Sequence, residues 1–213
     1  MSKEGITKGV YNTGDIMYDA VLSNFTLAER QYSNGVWLAE LCKENKGIPD
    51  LKEKHYYLAT IHRAENTDNL HKLREIFFAL ERLDKPVLLP LHPRTRKMII
   101  ELGILQNNVI ITQPVGYLLM LYLTANAYMV LTDSGGLQKE AYFLKTPCTT
   151  LREETEWVET LENGWNVLAP ITAEGIIHCA SRELSCLQYP QSGSFGDGRA
   201  AEYITQIIER GGR

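Results

Sequence analysis

The sequence predicts an α/β fold built on a doubly wound parallel sheet, and three observations carry that expectation. From Tyr56 onward, short runs with a β-rich composition alternate with helix-length amphipathic stretches, the rhythm of successive βαβ units. The short runs are nearly continuous in apolar residues, as strands covered on both faces must be. Unusual polar residues follow four of them directly, at the sheet edge where such folds bind ligands.

Taken in order, the expected strands are Tyr56–Thr60, Val87–Leu91, Val109–Thr112, Tyr128–Thr132, Cys148–Leu151 and Trp165–Leu168. Helices are expected over NLHKLREIFFALERL, TRKMIIELG, YLLMLYLTANA, LQKEAYFLK and TEWVETLEN, and again from Ile176 to Leu187. In the first of these, Leu70, Leu73, Ile76, Phe77 and Leu80 recur at helical spacing and mark one buried face. Residues 1–55 are too few for a domain and read as a lead-in to the sheet. GVYNTGDIMYDAVLSNF suggests a strand end, a turn and a helix start with Asp15 as a possible N-cap; a second helix follows at Val36–Lys43. Near the other end, SFGDGRAAEYITQIIER reads as a glycine turn and an amphipathic packing helix.

At 213 residues, with 44% hydrophobic and 23% charged residues, the chain can bury a sizeable core as an ordinary globular protein. No run approaches the roughly 18 apolar residues that cross a bilayer, and MSKEGITKGVYN lacks the apolar stretch of a signal peptide, so a cytoplasmic location is expected. A net charge of −4 argues against a broad nucleic-acid surface but leaves room for one anionic small molecule. Cys42, Cys148, Cys179 and Cys186 have no metal-ligand spacing and are expected to be buried thiols; no metal or cofactor is expected.

Four strand ends supply the candidate site. His62 and Arg63 follow the first strand and can donate to phosphate oxygens; the plainer alternative is that Asn66, Thr67 or Asp68 caps the next helix while His62 ends a strand. His92, Arg94 and Arg96 follow the second, and cations at a helix start oppose its dipole, a cost that a nearby anion would offset. After the fourth come Asp133, Ser134, Gly135 and Gly136, where glycine permits unusual backbone geometry and close approach, and helix N-terminal amides favour an anion. Glu140, on the helix that follows, cannot hold a phosphate but can accept from sugar hydroxyls. The fifth strand leads into Arg152, Glu153, Glu154, Thr155, Glu156 and Glu159, which ordinary capping and dipole chemistry largely explain. Neither a G-x-G-x-x-G nor a G-x-x-x-x-G-K-[ST] motif is present.

Taken together, TIHRAEN, LHPRT, LTDSGGLQKEA, LRxxTEWVET with GWNVL behind it, and FGDGRAA resemble the UDP-N-acetylglucosamine 2-epimerase family in order and approximate spacing. VYNTGDIMYDAV is similar to the segment that joins that family's two domains. The resemblance implies two Rossmann-like domains facing across a cleft, the GT-B arrangement, of which this chain matches the linker and the C-terminal half. On that basis residues 1–55 are the interdomain linker and lead-in helices, 56–198 a Rossmann-like UDP-binding domain, and 199–213 a helix that would brace an N-terminal domain not present here. The implied reaction interconverts UDP-GlcNAc and UDP-ManNAc by eliminating UDP and adding it back with inversion at C2. The domain that supplies carboxylates for that proton transfer lies outside the match, so the chain is expected to bind UDP and to be inactive alone.

By the same resemblance, His62, Ser134, Gly135 and Gly136 contact the diphosphate, His62 stabilises charge on the departing phosphate, and Glu140 takes the ribose. Arg63 and His92 fall near substrate or a second nucleotide-sugar site, and Arg152 and Glu156 in a loop near the nucleotide. Many members carry Arg-Pro after that Glu, whereas Trp157-Val158 stand here, which implies a different sugar substituent, for instance a uronic or diacetamido sugar. The apolar face of the last helix (Ala201, Ile204, Ile207, Ile208) is expected to pack locally, pair with a second copy, or meet a separately encoded N-terminal half. Two other functions stay open: a standalone UDP-sugar-binding module, and the nucleotide half of a GT-B glycosyltransferase. H-R-x-E-N with D-S-G-G-x-Q-x-E favours the epimerase.

Overall fold

Alternate residues along each strand point to opposite faces of a sheet, and both faces are apolar in this chain. Tyr57, Ala59, Val87, Leu89, Met129 and Leu131 pack into one core cluster, while Tyr56, Leu58, Leu88, Val130 and Cys148 pack into another. Six parallel strands result among the described residues: β1 (Tyr57–Thr60), β2 (Val87–Pro90), β3 (Val109–Thr112), β4 (Met129–Thr132), β5 (Cys148–Thr150) and β6 (Asn166–Leu168). Their spatial order is β3-β2-β1-β4-β5-β6, so β1, the first in sequence, lies centrally against both β2 and β4. The structure, a computed structural model, describes residues 4–211 except 46, 92–95, 97–98, 100–102 and 104–106, and the backbone alone at Glu44 and Cys186.

Helices cover both faces. Against the first stand α4 (Leu70–Glu81) and α7 (Ala173–Ala180); against the second, α1 (Ile16–Tyr32), α2 (Val36–Glu44), α5 (Tyr117–Asn126) and α6 (Gly135–Phe143). A single turn, α3 (Ala64–Thr67), precedes α4, and α8 (Ala200–Glu209) ends the described chain. Leu73, Ile76, Phe77 and Leu80 are fully buried on α4, as the spacing predicts, but Leu70 at its first position is half exposed. Asn69 caps α4 by accepting from the amides of His71 and Lys72, in place of the three residues before it.

Other expectations change. TEWVETLEN forms no α-helix: Val158–Gly164 is a 3₁₀ segment broken by extended Glu162 and by Asn163 at φ 56°. The last expected helix stops at Ala180, where the chain turns before a short 3₁₀ turn at Ser185–Gln188. Among the described residues the lead-in holds no strand; α1 follows directly from Asp15, whose carboxylate accepts from Met17 N at 2.8 Å. TRKMIIELG falls largely outside the described residues. Cys148 is buried and Cys179 partly so, but Cys42 is exposed.

The lead-in is held to the glycine turn by close backbone contact. Gly14 (φ 83°) and Gly196 (φ 84°) lie back to back, and a Cβ on Gly196 would meet Gly14 Cα at 2.8 Å. Asp15 N donates to Phe195 O at 2.9 Å beside them. Both Gly-specific φ values and the close approach require glycine here.

Candidate functional site

The strand order reverses direction between β1 and β4, which makes their C-terminal ends the topological switch point of the sheet. His62 and Arg63 leave the end of β1, while Asp133 and Ser134 leave the end of β4. Asp133 has no exposed surface and organises the crossing. Its carboxylate accepts from the amides of His62 (3.1 Å) and Arg63 (3.0 Å), and from Asn66 Nδ2 at 3.1 Å. His62 Nδ1 stands 3.0 Å from Asp133 Oδ1. Burial pushes Asp133 up, yet the imidazole and amides outweigh it and its pKa falls below the ordinary carboxylate value. The hydrogen bond to Asp133 raises the pKa of His62 above its usual value. With Nδ1–H directed at the carboxylate, Nε2 is the nitrogen left to meet a ligand.

Ser134 is the N-cap of α6: its Oγ accepts from Leu137 N at 3.3 Å, and its own amide donates to Thr132 Oγ1 at 2.9 Å. Thr132 Oγ1 in turn pairs with Thr60 Oγ1 at 2.6 Å, tying the ends of β4 and β1. The amides of Gly135 and Gly136 open the helix and belong to its first, unpaired turn. Neither glycine has positive φ, so neither is required for its backbone conformation. Gly136 contributes bare surface: nothing but Ser134 Oγ lies within 4 Å of a Cβ there. A Cβ on Gly135 would approach Trp157 Nε1 (3.4 Å), Glu156 Oε2 (3.5 Å) and Arg63 Nη2 (3.8 Å).

Glu140 lies further along α6 and is partly buried. Burial raises its pKa to about 7, opposed by the Tyr117 hydroxyl, which donates to it from the start of α5. A carboxyl poised near neutrality beside a phenol can accept a pair of hydroxyls when ionised.

The loop after β5 closes one side. Arg152, only 7% exposed, holds Glu156 through two bonds, Nη1–Oε2 at 2.9 Å and Nη2–Oε1 at 3.0 Å. Its Nε faces Glu65 Oε1 at 3.4 Å without forming a hydrogen bond. These bonds depress Glu156 to about 2, and Arg63 Nη2 adds a contact at 3.7 Å. Arg152 is thus engaged with carboxylates rather than presented as a free cation. Thr155 Oγ1 donates to Gln138 Oε1 at 2.6 Å, fastening the loop to α6.

The structure therefore brings His62, Arg63, Ser134, Gly135, Gly136, Arg152 and Glu156 together, with Glu140 on the same helix as the glycines. His92 and Arg94 lie outside the described residues. Among the participants, local sequence reading does not single out Tyr117, and it marks Asp133 and Asn66 only as a strand-end residue and a possible helix cap. Asp133 is visible as a polar residue closing an apolar strand, but its partners are about 70 residues away. Among the described residues, no cluster of His, Cys, Asp and Glu could hold a metal ion, and no helix is long and apolar enough to cross a membrane.

A parallel sheet in this order, with helices on both faces, defines a Rossmann-like α/β fold. The sequence matches the family model of UDP-N-acetylglucosamine 2-epimerase over residues 1–209, and the chain belongs to that family. It is 40% identical over 213 residues to a UDP-N-acetylglucosamine 2-epimerase homolog of Methanococcus maripaludis, covering 98% of this chain and 57% of that protein. It is 37% identical to the UDP-2,3-diacetamido-2,3-dideoxy-D-glucuronate 2-epimerase of Pseudomonas aeruginosa, covering 94% and 53%. The solved structure of the Methanocaldococcus jannaschii UDP-GlcNAc 2-epimerase in complex with UDP-GlcNAc and UDP is similar, with a TM-score of 0.76 at 35% identity over 98% of this chain and 57% of that one. The chain spans little more than half the length of the curated relatives it matches.

Proposed function

We propose that the protein acts as a UDP-GlcNAc 2-epimerase and that these 213 residues supply its UDP-holding part. The observation that supports this reading best is the convergence of an Asp133-oriented His62 and the open N-terminus of α6, with Glu140 further along the same helix. In this reading the diphosphate lies on the Gly135 and Gly136 amides, with the Ser134 hydroxyl, His62 Nε2 and Arg63 as further donors. Glu140 accepts from the ribose hydroxyls. Arg152 holds Glu156 in place at the edge of the seat.

The chemistry follows from charge. Breaking the bond between sugar C1 and the phosphate oxygen places negative charge on that oxygen as a proton leaves C2. Fixed donors aimed at the oxygen stabilise this charge more than they stabilise the intact ester. A protonated His62, favoured by Asp133, supplies the strongest such donor. The unsaturated sugar then takes UDP back after the proton returns to the other face of C2. The acid–base groups for that proton belong, in this proposal, to a second domain outside these 213 residues. The lead-in (1–55) and the last helix (199–213) are its linker and brace, and an apolar groove formed by Val10, Tyr11, Ile204, Ile207 and Ile208 supports that assignment. A cytoplasmic setting and the supply of polysaccharide precursors go with the same reading.

Calorimetric titration tests it. UDP is expected to bind the 213-residue chain, and His62→Ala with Ser134→Ala together to weaken binding on the order of a hundredfold through loss of charge-assisted donors. Unchanged affinity in the double variant would sink the phosphate assignment. Interconversion of UDP-GlcNAc and UDP-ManNAc by these 213 residues alone, at ordinary enzyme rates, would refute the need for a second domain.

A further inference from the structure

We propose that Trp157 reads the second phosphate of the nucleotide, acting as a specificity-determining donor for diphosphates over monophosphates; the inference rests on the diphosphate reading above. The indole Nε1 lies 3.4 Å from where a Cβ on Gly135 would stand, and Arg63 Nη2 lies 3.8 Å from the same point. Both donors therefore border the gap beside the first amide of α6. An indole N–H donates and cannot accept, so it favours a ligand that brings an acceptor oxygen. Glu156 Oε2 shares the gap at 3.5 Å, but its charge is offset by the two bonds from Arg152 and by Arg63.

The ring is fixed from α6 itself. Lys139 Nζ sits 4.0 Å from the Trp157 ring centroid; the lysine is almost fully buried and ion-paired with Asp15. Trp157 N donates to Thr155 Oγ1 at 3.1 Å, and that hydroxyl is bound to Gln138 on the same helix. The helix that offers the amides thus also sets the position of the indole N–H.

Direction along the helix assigns the phosphate. Glu140 lies five residues beyond Gly135, about 7.5 Å along the axis at the rise of an α-helix. With the ribose at Glu140, the first phosphate lies nearer that carboxylate and the second nearer Gly135, where Trp157 and Arg63 meet. A monophosphate ends before it reaches the indole.

Trp157→Phe keeps an aromatic ring over Lys139 and removes the indole N–H together with the five-membered ring that carries it. Calorimetric titration of the 213-residue chain with UDP and UMP, beside thermal melting, separates the outcomes. The expected result is about a tenfold weaker UDP affinity in the variant, with UMP affinity and melting temperature unchanged. UDP affinity equal to wild type overturns the inference while the diphosphate reading stands. Equal weakening of UDP and UMP overturns it too, because it marks a general structural role. Failure of the wild-type chain to bind UDP removes the diphosphate reading and this inference with it.

Discussion

At position 133 a carboxylate with no exposed surface accepts from two backbone amides, one side-chain amide and one imidazole. A buried charge is tolerated only when it is satisfied in this way. The result is a His62 held in one tautomer, with its free nitrogen available for ligand. Glu140 is the opposite case, a carboxyl that burial pushes up to about 7. Its unfolded counterpart ionises near the ordinary value, so below that value both states are protonated and burial of charge costs nothing. As pH rises from there to about 7, the unfolded state ionises first and stability is lost. Glu140→Gln is therefore expected to melt about 5 °C above wild type at pH 8, with the gap closing by pH 4. The same variant should bind UDP more weakly at pH 8, where the ionised Glu140 of the wild type accepts from ribose. Equal melting temperatures at pH 8 would show that the wild-type carboxyl carries no burial cost.

The helix α6 combines several tasks in nine residues. Ser134 caps it, Gly135 lies under the loop after β5, Gly136 is left bare, Gln138 and Lys139 hold that loop, and Glu140 lies beyond. Gly135 is helical and a methyl would make only ordinary contacts there, the shortest 3.4 Å. Gly135→Ala should leave stability unchanged or raise it by up to ~1 kcal/mol, since alanine is the better helix former. UDP affinity should nonetheless fall at least about tenfold, because the methyl fills the surface on which phosphate rests. Denaturant unfolding and UDP titration of one preparation would check both, and retained affinity would place the anion elsewhere. Legibility also differs within this element. The Ser-Gly-Gly turn and the spacing to Glu140 can be read along the chain, whereas the loop that covers Gly135 arrives from the end of another strand.

At the scale of the whole molecule, the lead-in and the C-terminal glycine turn are clasped together. Gly14 packs on Gly196, Asp15 N donates to Phe195 O, and Asp19 on α1 accepts from Ala200 N and Ala201 N at the start of α8. Gly196→Ala adds a Cβ 2.8 Å from Gly14 Cα in a left-handed conformation, and backbone cannot move aside cheaply. We expect a loss of about 2–4 kcal/mol in unfolding free energy. Gly193→Ala, where a Cβ meets nothing within 4 Å, should be near neutral in the same denaturant series. Similar losses in both would mean that the turn is not the clasp.

The sequence by itself determined the order and type of most elements, because hydrophobic period and turn residues act over a few positions. It also marked the strand ends where polar residues gather, His62 and Ser134 among them. It misjudged Val158–Gly164, where acidic capping signals suggested an α-helix but Glu162 and Asn163 leave helical geometry. Only the tertiary structure decided which groups meet. The pairing of β1 with β4 carries Asp133 to His62 across 71 positions, Lys139 pairs with Asp15 from the lead-in, and Arg63 reaches Glu156 on the loop after β5. Those contacts depend on strand order and on buried charges finding partners, and neither is encoded in local spacing.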